Sequence, residues 1–231
     1  EDACESLGSQ YNGINLGNFG DMSIFSTYFG HHLSTIEGGL VCTKHENLNY
    51  ILKCIRNHGW DRDLPEAEKR RLREKNNITD FHALYTFYYL GFNFRSTDLQ
   101  AVIGLEQLKK WDAIVKKRNT NYNYYAKHIN FDSMMLKPQT DKYAYVSNFA
   151  FPLITKNKEK LIKTFDSEGI QIRPLICGSM VTQPFYKNNG FPAAFCPNAS
   201  IVDEYGVYIP NHPHLSTTDL RKIVNRVNKS I

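Results

Sequence analysis

Phe25-Ser26-Thr27-Tyr28-Phe29-Gly30-His31-His32-Leu33-Ser34-Thr35-Ile36-Glu37-Gly38-Gly39 is the stretch on which the reading of this chain turns. It lies between two short apolar runs. Met22-Ser23-Ile24-Phe25-Ser26 follows the turn chemistry of Gly17-Asn18-Phe19-Gly20-Asp21 and predicts a buried strand. Gly39-Leu40-Val41-Cys42-Thr43 predicts a second strand after the Gly-Gly turn. The segment between them holds two adjacent histidines. Neighbouring residues rarely aim at one point, and no third ligand is spaced nearby, so no metal site is expected. An imidazole that takes and returns a proton near neutral pH is the chemistry this pattern suits, with a purely structural His31 as the other reading.

Outward from this segment the chain alternates. Glu46 to Asn57 sets Leu48, Ile51, Leu52 and Ile55 at helical spacing. Pro65 to Asn76 permits a helix but has almost no apolar face, so it reads as an exposed excursion. Thr97 with Gln100 three residues on forms a capping-box pattern, and Asp98 suits the positive end of a helix. Leu99, Val102, Ile103, Leu105, Leu108 and Trp111 are expected to supply that helix's buried face. A domain boundary is expected near residue 116, giving units 1–116 and 117–231. In the second unit a strand is expected over 147–154, a helix over 158–168 capped by Gly169, a strand over 170–175, a loop over 184–197 and a strand over 207–209. Ser216 opens a last helix whose Leu220, Ile223, Val224 and Val227 face inward.

Bulk properties narrow the class. A chain of 231 residues with 42% hydrophobic content can bury a core in one or two domains. No apolar run approaches the roughly 18 residues of a membrane span, and the start has no signal-peptide character, so a cytoplasmic location is expected. The five cysteines form no CxxC or CxC pair, which speaks against a disulfide framework or a zinc site. The net charge of +5 suits an anionic small substrate. Lys69-Arg70-Arg71 and Arg73 alternate with Glu66, Glu68 and Glu74, which reads as a solvated helix face and not a nucleic-acid patch.

Five separated blocks resemble the DegT/DnrJ/StrS family of vitamin B6-dependent sugar aminotransferases. They are Glu1-Asp2-Ala3-Cys4-Glu5, the segment around His31, Arg56-Asn57-His58-Gly59, Gly91 to Arg95 with Asp98-Leu99-Gln100-Ala101, and Gly169 to Leu175 with Gln183-Pro184. Together they run through nearly the whole chain. The resemblance implies an α/β fold, a fragment of the fold-type I PLP-dependent aminotransferase architecture. Residues 1–116 would be the C-terminal half of the large cofactor domain and 117–231 the small domain. Members carry further sequence before the Glu-Asp pair, so the chain is expected to be the second half of a subunit.

In the family a lysine stands five positions after the serine matched by Ser26; here His31 stands there. An imidazole cannot form the Schiff base that a lysine amine forms. The pattern resembles the branch that removes the C3 hydroxyl of nucleotide-linked 4-keto-6-deoxy sugars using pyridoxamine 5'-phosphate or pyridoxal 5'-phosphate, with His31 as the base. The resemblance implies that Asp2 binds the cofactor's ring nitrogen, Ser26 its phosphate, and Asn93 the phosphate of the neighbouring subunit. Glu5 would lie near the base. His58, Arg95 and Arg173 are implied contacts to substrate or another anion, with glutamate as amino donor and a homodimer as the assembly. The role of His32 stays open. Trp60 to Phe94 contains no cysteine, which argues against an iron–sulfur cluster. Two other readings remain. One is an aminotransferase, which would need a lysine where His31 stands. The other is a non-catalytic chain that keeps the fold for assembly.

Overall fold

Two strands organise the first part of the chain. β1 (Met22–Ser26) pairs antiparallel with β2 (Gly39–Thr43), with Met22 opposite Thr43 and Ser26 opposite Gly39. The computed structural model describes residues 1–231. The strands follow in sequence as expected, but β1 is not a buried strand: Ser23 is its only buried residue, and Ile24, Leu40 and Val41 are exposed. Asp2 extends the pair through a parallel bridge to Ile24.

The chain divides into two compact units, Glu1–Leu7 with Ile14–Trp111 and Gly8–Gly13 with Asp112–Ile231. In the first unit, α1 (Glu46–Arg56) buries Cys54. α2 (Glu66–Asn76) is more than an exposed excursion. Its one large apolar residue, Leu72, is buried with Cys54 and Leu64, and Tyr50, Tyr88 and Tyr89 pack around them. A single leucine sufficed to dock the helix, a signal too sparse for a periodicity argument.

α3 (Asp98–Leu108) starts as the sequence predicts. Thr97 Oγ1 accepts from the Gln100 amide, and Gln100 Oε1 accepts from the Thr97 amide. Its apolar stripe, however, is not a buried face. Leu99, Val102, Leu105 and Leu108 are 77, 61, 62 and 54% exposed, and no residue of the helix is buried. Capping is a local interaction and burial needs a partner surface, so the two expectations could part.

The second unit has a core of its own. β3 (Ala150–Ile154), β4 (Arg173–Pro174) and β5 (Gly206–Pro210) form an antiparallel sheet in the order β3-β5-β4. Phe151 and Leu153 from β3 and Val207 and Ile209 from β5 point into the core by strand alternation. Against them lie Tyr122 and Tyr125 of α4 (Trp111–His128), Leu161 and Phe165 of α5 (Lys158–Ser167), and Leu220, Ile223, Val224 and Val227 of α6 (Thr217–Ser230). Gly169 ends α5 with φ of 64°. The strand expected over 170–175 shrinks to the two residues of β4. The expected loop over 184–197 includes the short helix Pro184–Asn188, and a further helix runs over Pro197–Tyr205. Proline at the first position of each is compatible with a helix start, which a count of prolines misread as loop.

Buried polar groups stitch this core. Arg118 Nη1 donates to the carbonyls of Phe149 and Asn211, both at 2.8 Å, and Asn211 Nδ2 donates to Asn148 O at 2.7 Å. Burial lowers the Arg118 guanidinium to about 10, so it stays charged at neutral pH. Ser216 and Asp219 form a reciprocal cap at the start of α6.

Phe165 and Ser216 separate the core from the cap. Phe165→Ala should cost about 3–5 kcal/mol, the range for an emptied aromatic site. Ser216→Ala should cost about 1 kcal/mol, the usual worth of an N-cap. Urea unfolding of both variants checks the contrast.

Candidate active site

The segment from Thr27 to Gly38 is a closed excursion from the β1–β2 hairpin. Backbone bonds cross it from Thr27 N to Gly38 O (3.0 Å), Thr35 N to Thr27 O (2.8 Å) and Phe29 N to Ile36 O (3.0 Å). The hydroxyls of Thr27 and Thr35 meet at 2.6 Å, and Thr35 Oγ1 also bonds Glu37 O at 2.9 Å. Gly38 has φ of 148°, and a Cβ there would lie 2.6 Å from Thr27 Oγ1 and 2.7 Å from Thr35 Oγ1. Glycine is required because the hydroxyl pair occupies that space. Gln100 locks the turn from outside, donating Nε2 to Glu37 O at 2.8 Å while its Oε1 caps α3.

His31 sits in this excursion. Its amide donates to Tyr28 O at 3.0 Å, and its ring meets Tyr28 edge-on at 5.6 Å between centroids. Its Nε2 lies 3.9 Å from Glu5 Oε1. His32 is buried beside it. Ser26 closes β1, and its hydroxyl accepts from the Tyr28 amide at 3.1 Å.

Asp2 and Glu5 reach this place through the anchoring of the segment before β1. The Glu1 carboxylate accepts the amides of Gly17, Phe19 and Gly20 at 2.7, 2.6 and 2.6 Å, which lowers its pKa and ties residues 1–5 to the turn that launches β1. Asp2 Oδ1 accepts from the Cys4 amide at 3.0 Å. Hydrogen bonds from the Cys4 amide and thiol hold Asp2 below the usual carboxylate range, with a smaller pull from His31. Burial, and then the Asp2 charge, push Glu5 up. The Cys4 thiol is raised to about 11, chiefly by burial and then by Asp2, so it remains a protonated donor. Asp2, Glu5 and His31 therefore form one electrostatic group.

A second group gathers around His58. The Arg56–Gly59 segment lies along residues 88–94: His58 N donates to Phe92 O, Phe94 N to Arg56 O and Tyr88 N to Gly59 O, and Asn57 bridges Asn93. The backbones run so close that a Cβ on Gly59 would lie 1.9 Å from Tyr89 O. His58, at φ of 60°, packs its ring 5.0 Å from that of Trp60. Arg95 Nε donates to Asn93 Oδ1 at 3.0 Å. Arg173 is not in either group; it lies exposed on β4 in the second unit, opposite Tyr208.

Sequence reasoning missed several parts of this arrangement. Thr27, Thr35 and Cys4 offered no motif of their own, and Gln100 was legible only as a cap.

The chain belongs to the DegT/DnrJ/EryC1/StrS aminotransferase family, whose model matches residues 1–228. It is 31% identical to the GDP-4-keto-6-deoxy-D-mannose 3-dehydratase of Yersinia pseudotuberculosis over 99% of this chain and 59% of that protein. The enzyme of the same name from Escherichia coli O55:H7 is 32% identical over 92% of this chain and 55% of its own length. The solved E. coli GDP-4-keto-6-deoxy-D-mannose-3-dehydratase with bound hydrated PLP superimposes with a TM-score of 0.83 at 28% identity, covering 98% of this chain and 59% of that one. The α/β fold is thus that of a PLP-dependent aminotransferase. The chain spans between half and two thirds of the length of these relatives. No helix is long and apolar enough to cross a membrane.

Gly38 and Gly13 test the lock on the His31 segment. Gly13 has φ of 76° and open space around it, so Gly13→Ala isolates the backbone cost, roughly 1–2 kcal/mol. Gly38→Ala should cost more, because φ of 148° is less tolerant of a side chain and because the methyl would displace the threonine hydroxyl pair. Equal losses in thermal or urea unfolding would mean that the hydroxyl pair does not constrain the segment.

Proposed function

We propose that the protein containing this chain dehydrates a nucleotide-linked 4-keto-6-deoxy sugar at C3, with vitamin B6 as cofactor and His31 as base. The observation that carries this reading is the place of His31. It stands in the locked segment between Ser26 and Gly38, where the aminotransferases of the family carry their lysine, and it has Glu5 3.9 Å away. The similarity to two named 3-dehydratases supports it.

The residues fit the cofactor. Asp2 is an exposed carboxylate held ionised by Cys4, suited to keeping a pyridine nitrogen protonated. The Ser26 hydroxyl and the Asn93 amide are donors suited to phosphate oxygens, Asn93 toward the neighbouring subunit. Bound pyridoxamine phosphate supplies an amine for the sugar ketone and a ring that accepts an electron pair. With that cofactor bound, His31 would be the group that takes up a proton from it and returns one to the C3 hydroxyl, which would leave as water. Glu5, with its raised pKa beside the His31 ring, keeps a second proton-exchanging group within reach. His58 and Arg95 would contact the substrate and Arg173 a further anion, and glutamate would be the amino donor. We take residues 1–116 as the second half of the cofactor domain and 117–231 as the small domain. The assembly is a homodimer, an arrangement that suits the exposed aromatic residues Phe87, Phe92 and Phe94.

Two measurements test this reading. His31→Asn in the complete protein should retain cofactor binding and lose dehydration by about two to four orders of magnitude, the scale of general-base catalysis. Product analysis with a GDP-linked 4-keto-6-deoxy sugar reads the result, and a wild-type rate would make His31 structural. Sedimentation at micromolar concentration should give a dimer; an active monomer would contradict the shared site.

A further inference from the structure

One side-chain amide, that of Gln100, joins two segments of the first unit that carry candidate site residues. Its Oε1 accepts the Thr97 amide at 2.9 Å and so ends the stretch that holds Asn93 and Arg95. Its Nε2 donates to Glu37 O at 2.8 Å, at the close of the segment that carries His31. One turn further along α3, a Cβ on Gly104 would lie 3.1 Å from Thr35 Cγ2. Residues at that spacing share a helix face, so α3 meets the His31 segment at two successive turns.

The contact falls beside a strained residue. Ile36 has φ of 74°. The left-handed region is an outlier for a β-branched residue, and such a conformation persists only where the surrounding bonds over-determine it. Ile36 is held in this way. Its amide donates to Ser34 Oγ at 3.0 Å, and its carbonyl accepts from Phe29 N at 3.0 Å. The next carbonyl, Glu37 O, accepts twice, from Thr35 Oγ1 at 2.9 Å and from Gln100 Nε2 at 2.8 Å. Of these bonds only the last reaches in from outside the excursion. The Ile36 side chain is 61% exposed, so burial of its own apolar surface does little to offset the strain.

We propose that Gln100 is a positioning residue for His31: its bond to Glu37 O holds the strained Ile36 turn closed and so fixes where the imidazole stands. The inference rests on the reading of His31 as base and deepens it. A return of Ile36 to negative φ would carry the Glu37 carbonyl away from α3, which the bond opposes. It would also open the bond from Phe29 N to Ile36 O, two residues before His31 in the chain. The other task of this side chain is separable. Capping needs only an acceptor at Oε1, which glutamate supplies as well as glutamine, whereas the bond to Glu37 O needs a donor.

Gln100→Glu separates the two tasks. The complete protein is measured for melting temperature, for amide exchange at Thr27, Phe29 and Thr35 without ligand, and for kcat and KM with the keto-sugar, from about pH 8 down to about pH 5.5, toward the carboxylate range. At the upper pH the melting temperature should change little, because the cap is kept. Exchange should quicken about three- to ten-fold over wild type, the loss of one hydrogen bond. kcat should fall about ten-fold or more with KM little changed, the effect of a displaced base. The introduced carboxyl faces a carbonyl, which favours its neutral form, and once protonated it donates again. Both ratios to wild type should therefore recover as the pH falls, which a merely structural role would not produce. Gln100→Ala, which loses both bonds, should show no recovery. Wild-type exchange and kcat in Gln100→Glu at pH 8 overturn the proposal, as does a loss that persists at the lower pH or a recovery shared by Gln100→Ala. If the wild-type protein leaves the keto-sugar unchanged while exchange in Gln100→Glu quickens and recovers, the dehydratase reading fails and this one stands. Turnover that Gln100→Glu does not alter at any pH does the reverse.

Discussion

Two threonine hydroxyls 2.6 Å apart, Thr27 and Thr35, set the geometry on which this candidate site depends. They close the excursion that carries His31, and they fill the space a side chain on Gly38 would need. The glycine at Gly38 is thus a packing consequence of the hydroxyl pair. Crossing bonds from Thr27, Phe29 and Thr35 turn what would be a flexible loop into an extension of the β1–β2 ladder. A side chain carried this way has its backbone position fixed at folding.

Around that lock the charges are arranged in a chain. Glu1 fastens the turn before β1 and so brings Asp2 beside Ile24. Cys4 then stabilises Asp2 in its ionised form, and the Asp2 charge helps keep Glu5 protonated to higher pH. Neighbouring carboxyls pushed in opposite directions can serve different purposes, one as a fixed charge and one as a proton carrier. The thiol that separates them is held as a donor, since its own pKa is about 11. This gives a physical role to a cysteine that composition alone could only count.

The two units show how differently local and tertiary signals travel. In the second, apolar periodicity and capping agree, and Leu220, Ile223, Val224 and Val227 are buried where their spacing points. In the first, α3 has a sound capping box and an apolar stripe that stays in solvent. α2 is the converse, a helix of charged residues whose one buried side chain is Leu72. Residues that suit burial state a capacity. Whether it is used depends on a surface supplied by some other part of the protein or its partners.

What the sequence by itself determined is therefore the capped helix ends and the chemical cast. Thr97–Gln100, Ser216 and Gly169 mark helix ends because capping needs only neighbours a few residues away. The blocks around Asp2, His31, His58 and Asn93 carry the resemblance to the B6-dependent family, which implies its fold and a lysine where His31 stands. Only the tertiary structure decided that Gln100 reaches back 63 residues to Glu37, and that Trp60, Arg62 and Tyr85 lie together. Such pairings are made by chain segments far apart in sequence, and their geometry is fixed by packing and backbone crossings such as Gly59 on Tyr89, which leave no periodic trace in the sequence.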